Sequence, residues 1–190
     1  MKFLFVIDAV KGFVNEGVFR NDRAEAKIPN IVKLCEEFKN DNLIFIKDAH
    51  SAGSKEFETY PKHCIKGTSE AELVEELKPY EELDNAISLE KNCTNGIVCK
   101  NVRISVEDLI KMASSKDNIE LHFCGFITEV CVMQFVLSLK AYIDDIDLKS
   151  KMKFVVHSDC VDTYDTLVHN ADQINKFVFE NFVQNGIEVI

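Results

Sequence analysis

A chain of 190 residues, 46% hydrophobic and 28% charged, has the length and balance of one packed domain rather than a disordered or fibrous polymer. Its formal net charge of −10 repels phosphate and excludes nucleic acid as the expected partner. No apolar run is long enough to span a bilayer, so no membrane association is expected, and seven irregularly spaced cysteines without an export signal point to free thiols in the cytoplasm.

Short apolar runs alternate with amphipathic ones along the chain. Phe3 to Ile7 reads as a buried first strand, since it ends in Asp8 without the small residues of a cleavage site. A helix from about Ala24 to Asn40 follows, then a strand from Leu43 to Lys47. Asp48 to Thr68 is a long polar loop, a length that favours function in a compact domain. Next come a helix over Ser69 to Lys78, where Ser69 and Glu72 have capping-box spacing, and a strand over Ala86 to Leu89. Ser105 to Ser114 reads as a helix with a similar Ser105/Asp108 cap. Strand Ile119 to Cys124, helix Glu129 to Tyr142, a polar connection from Ile143 to Lys151, strand Lys153 to Val156, helix Asp165 to Phe182 and strand Ile187 to Ile190 complete the chain. Six strands separated by helices predict a single α/β domain over residues 1–190, with a six-stranded, mostly parallel sheet and helices on both faces.

Ligands of such sheets bind at the carboxyl ends of the strands. Asp8, Asp48, His50, Lys91, Cys131, Asp159 and Cys160 all fall at or just beyond those ends, bringing carboxylate, imidazole, amine and thiol to one rim. Cys131 follows Gly125-Phe126-Ile127-Thr128-Glu129-Val130, with Thr128 as the expected N-cap. The first helical turn would then stabilise a thiolate and lower its pKa, and its N–H groups could hold an oxyanion. Cys160 is a rival that spacing alone does not dismiss, and Cys131 could equally be a core residue. Asp8 could serve as the base if burial raised its pKa, with Lys91 nearby to stabilise the thiolate. Asp48 and His50 point the same way on an extended segment, and His63 lies beyond Glu56 and Glu58 in the same loop. Two imidazoles with one or two carboxylates suit a divalent metal, Zn first, with Fe or Mn as alternatives.

Four stretches together resemble the isochorismatase-like cysteine hydrolases, and within them the nicotinamidase/pyrazinamidase branch. They are Asp8 with Phe13, Asp48-Ala49-His50 with Tyr60-Pro61-Lys62-His63-Cys64, Lys91, and Gly125 to Val132. The resemblance implies a Rossmann-like arrangement and assigns Asp8, Lys91 and Cys131 as catalytic residues, choosing Cys131 over Cys160. It implies a cis peptide between Phe126 and Ile127, an oxyanion held by the backbone N–H groups of Ile127 and Cys131, and substrate contacts from Phe13 and Tyr60. It assigns Asp48, His50 and His63 as metal ligands, with Glu56 the fourth and Glu58 its competitor. The implied reaction is metal-dependent hydrolysis of nicotinamide to nicotinate and ammonia through a Cys131 thioester. The expected partner is thus a small-molecule amide, and a homo-oligomer is left open. The competing readings are a relative acting on another small amide and a non-catalytic flavodoxin-like binding module. Against the latter, no glycine-rich phosphate loop follows the first strand.

Overall fold

The computed structural model describes residues 1–99, 105, 108, 110–111, 118–147 and 152–190. Strands β1 (Lys2–Ile7), β2 (Asn42–Asp48), β3 (Ala86–Lys91), β4 (Ile119–Phe126), β5 (Met152–Asp162) and β6 (Glu188–Val189) form one sheet in the order β3-β2-β1-β4-β5-β6. Every neighbouring pair is parallel, so the sheet is wholly rather than mostly parallel.

Both faces of the sheet are covered, which is why its central strands are nearly continuous apolar runs. On β1, Phe3, Phe5 and Ile7 pack into one layer, and Leu4 and Val6 into the other. The first layer is closed by α4 (Met133–Asp145) and α5 (Ala171–Gln184), through residues such as Phe135, Leu139 and Phe182. The second is closed by α1 (Lys11–Val14), α2 (Asp22–Glu37) and the segment carrying Leu73, Val74 and Leu77, which runs into α3 (Lys78–Glu81). The sequence of strands reverses direction between β1 and β4, which opens the crevice where open α/β sheets take their ligands. Among the described residues, no helix is long and apolar enough to cross a membrane.

Several expected elements differ. Ser69 to Lys78 forms no continuous helix but two short 3₁₀ turns, Ser69–Ala71 and Glu75–Leu77, leading into α3. The Ser69/Glu72 capping box is absent because Ser69 donates to Glu16 and Glu72 pairs with Lys11 and Lys78. The last long helix starts at Ala171, not Asp165, because Asn170 caps it by accepting from the Gln173 N–H. Strand β5 runs on through a register irregularity to Asp162, so Asp159 and Cys160 lie inside it rather than beyond its end. Most of the expected helix over 105–114 lies outside the described residues, as do residues 148–151 of the polar connection. The Ser105/Asp108 cap itself is formed, with each residue accepting the other's backbone N–H.

Candidate active site

Parallel strands deliver the site because their carboxyl ends share one rim. Asp8 follows β1, Asp48 ends β2 and Lys91 ends β3, and the registers place Ile46 beside Ile7 and Lys91 beside Asp48. Asp8 adopts the left-handed backbone region (φ 48°), and its Oδ1 accepts the Asp48 N–H at 2.8 Å. The Lys91 ammonium lies 2.9 Å from Asp8 Oδ2, donates to Asp48 Oδ1, and stands 3.7 Å from Cys131 Sγ. Carboxylate oxygens of Asp8 and Asp48 and the Cys131 sulfur all fall within 4.8 Å of one another. All four side chains are buried.

Burial decides the electrostatics of this cluster. Burial and the neighbouring Asp48 charge push the Asp8 carboxyl up to about 7, against the pull of Lys91. Burial opposes charge on Asp48 as well, yet Lys91 and the two imidazoles hold that carboxyl well below the usual range. Lys91 is desolvated too, but the two carboxylates keep it firmly cationic. Cys131 corrects an expectation: burial drives its thiol well above the ordinary value, and the Lys91 charge only opposes that rise. Asp8 and Asp48 add to it.

Cys131 stands in a π-helical turn, Thr128–Val132, before α4 begins. The expected Thr128 cap is absent: Ile127 occupies the N-cap position, and Thr128 Oγ1 instead donates to Asn175 Oδ1 at 2.7 Å. The Ile127 carbonyl accepts from the N–H groups of Val130 and Val132, both at 3.2 Å, which folds the turn tightly around Cys131. The Phe126–Ile127 peptide is cis. Cys160 is held in the opposite core layer, among Leu4, Val6 and Cys35, and is no part of this cluster. All seven cysteines are free.

Beside the thiol, Asp48 Oδ2 lies 3.4 Å from His50 Nε2 and 3.7 Å from His63 Nε2. Glu56 Oε1 stands 3.8 Å from His50 Nε2, whereas Glu58 pairs with Lys55 on the surface at 2.7 Å. His63 Nδ1 is 2.8 Å from the Pro61 carbonyl, which turns Nε2 inward. Both ring nitrogens of His50 are buried without a hydrogen-bond partner. An orphaned imidazole facing a second imidazole and a carboxylate is the donor set of a divalent metal, so these residues fit one.

A cavity of about 390 Å³ opens onto both groups. Phe13, Tyr60, Ile127, His63 and Cys131 line it. It also contains Phe19, whose ring lies 4.8 Å from that of His63, and the wall Tyr164–Thr166, neither of which the sequence reading singled out. The Phe19 signal, an aromatic at a turn after Gly17, is weak in sequence because its approach to His63 depends on how α1 meets the 60–64 loop.

The isochorismatase domain model matches residues 2–190. Nicotinamidase 1 of Arabidopsis thaliana is 31% identical over 180 residues, covering 90% of this chain and 73% of the relative. A nicotinamidase from Bacillus subtilis superposes with a TM-score of 0.78 at 22% identity, over 99% of this chain and 98% of that one. A pyrazinamidase of Pyrococcus horikoshii, solved in complex with zinc, gives 0.72 at 19% identity, over 100% and 98%. From the extent of the family match and the identity to the plant relative, the chain belongs to the isochorismatase-like hydrolases, in their nicotinamidase branch.

Proposed function

We propose that this amidohydrolase converts nicotinamide to nicotinate and ammonia, with Cys131 as nucleophile. The observation that carries the reading is the convergence of Asp8, Lys91 and Cys131 beside the Asp48/His50/His63 group, with Cys131, Asp48 and His63 lining a cavity sized for a small ring.

With its pKa near neutrality, Asp8 takes the Cys131 proton. Lys91 stabilises the thiolate as it forms. The sulfur attacks the carboxamide carbon, and the backbone N–H groups of Ile127 and Cys131 receive the developing oxyanion. Asp8 returns the proton to the departing nitrogen, ammonia leaves, and a thioester remains. Asp8 then draws a proton from water, which attacks the thioester carbon, and that proton goes to the released sulfur. Phe13 and Tyr60 flank the ring. Asp48, His50, His63 and Glu56 would hold a divalent cation, and zinc suits that mixed nitrogen and oxygen set. When bound it supplies a Lewis-acid contact for the ring nitrogen of a pyridine amide.

The test is ammonia release from nicotinamide by metal-replete protein. The wild type and Cys160→Ala should turn over alike, and Cys131→Ala should be inactive. Turnover retained by Cys131→Ala would remove the nucleophile assignment, and an inactive wild type would remove nicotinamide as the substrate.

A further inference from the structure

Two residues unused by the chemistry above tie the nucleophile turn to the facing wall of the cavity. Glu129 precedes Cys131 by two residues. Its Oε1 lies 2.9 Å from His169 Nε2 and accepts a hydrogen bond from Thr163 Oγ1 at 3.1 Å. His169 turns its other nitrogen to the Tyr164 carbonyl, 2.8 Å away, and its ring stacks on the Tyr164 ring at 4.1 Å and 11°. The Glu129 and His169 side chains are only 22% and 19% exposed, so solvent screens the pair less than a surface contact.

The segment behind them is a tight turn. Thr166 N–H donates to the His169 carbonyl at 2.9 Å, and Asp165 accepts the Ala171 N–H at 2.8 Å while pairing with Arg23 at 3.3 Å. One side of this turn presents Tyr164, Asp165 and Thr166 to the cavity, and its tip, Leu167 and Val168, stands almost wholly in solvent. With its two aliphatic residues outside, the turn draws little from apolar burial, and polar contacts fix where its inner face lies.

We propose that Glu129 and His169 are positioning residues. Their pairing clamps the Tyr164–Thr166 wall against the nucleophile turn and sets how tightly the substrate ring is held. This rests on the reading of Cys131 as nucleophile. Asp8 and Lys91 arrive on β1 and β3, independently of the clamp, so releasing it loosens binding far more than it slows the chemical steps.

In steady-state hydrolysis of nicotinamide, His169→Ala should raise KM about tenfold, the effect of losing one charge-assisted hydrogen bond, with kcat kept within about threefold. His169→Gln, which retains a donor toward Glu129, should recover most of the loss. The Glu129→Ala/His169→Ala double variant should bind no worse than the weaker single one, because the two act as one unit. An unchanged KM in His169→Ala, additive effects in the double variant, or a fall in kcat as large as the rise in KM would each overturn the clamp. If the wild type leaves nicotinamide intact, the substrate reading alone fails, and the clamp is judged by alkylation of Cys131 followed by peptide mass spectrometry. His169→Ala should then favour a bulky maleimide over iodoacetamide relative to wild type, and an unchanged ratio would overturn the proposal.

Discussion

Asp8 carries the reaction's protons only if its carboxyl loses them near neutral pH. Burial and Asp48 raise it to about 7, and the base must be ionised to accept the thiol proton. The kcat/KM profile should therefore rise tenfold per pH unit up to roughly 7 and level above it. An acid limb near 4, the range of an ordinary carboxylate, would show that the desolvation argument fails. Gly125 fixes the same corner from the backbone side. Its φ of +117° suits glycine alone, and a Cβ there would lie 1.9 Å from the Ile7 carbonyl, directly before Asp8. Gly125→Ala should cost roughly 3 kcal/mol or more in denaturant unfolding, as strain and overpacking combine. A cost below about 1 kcal/mol would mean that the β1–β4 contact yields easily.

At the scale of elements, β4 and β5 carry a second polar group away from the cavity. His122 Nδ1 and His157 Nε2 lie 2.9 Å apart, and His122 Nε2 is 3.1 Å from Glu120. Phe38, which follows α2, packs edge-on against the His122 ring, and Lys2, Lys153 and Asp159 are the other charges acting on the pair. Burial pushes His157 down to about 4, helped by His122, and burial lowers His122 despite Glu120. Between about 4 and the unfolded value of 6.5 the unfolded chain binds a proton that the folded one refuses, so stability is complete above 6.5 and falls as pH drops toward 4. The loss should be on the order of 2 kcal/mol by urea unfolding at pH 7 and pH 4.5, and His157→Gln should shrink it. Equal pH slopes in the two proteins would rule out the pair as the cause. Nothing in the local sequence marks this pairing, because it joins residues 35 apart in sequence across two neighbouring strands.

For the whole molecule, what could be read in advance follows from one rule: parallel strands point their carboxyl ends the same way. That rule gathers Asp8, Asp48 and Lys91 from sequence alone, since each lies at the end of an apolar run. The Tyr164–Thr166 wall escapes it, because helical periodicity carried the final helix back to Asp165 while the Asn170 cap starts it at Ala171. The Cys131 thiol was misjudged for a related reason: a helix start is a local feature, but burial to 3% exposure is set by the packed layers around it. His50 is buried completely as well, against the rings of Phe57 and His63, with neither ring nitrogen hydrogen-bonded. An imidazole buried without a hydrogen bond costs the metal-free fold stability, and a cation that binds only the folded chain restores it by mass action. At a hundred times its dissociation constant the ion adds about 2.7 kcal/mol, which for a chain of this length lifts the melting temperature by roughly 5–10 °C. Zinc added to chelator-treated protein should produce that rise, EDTA should reverse it, and His50→Ala should melt at one temperature with or without the ion. A wild-type transition indifferent to zinc, manganese and iron would mean that the Asp48/His50/His63 group holds no cation, whatever its donor atoms suggest.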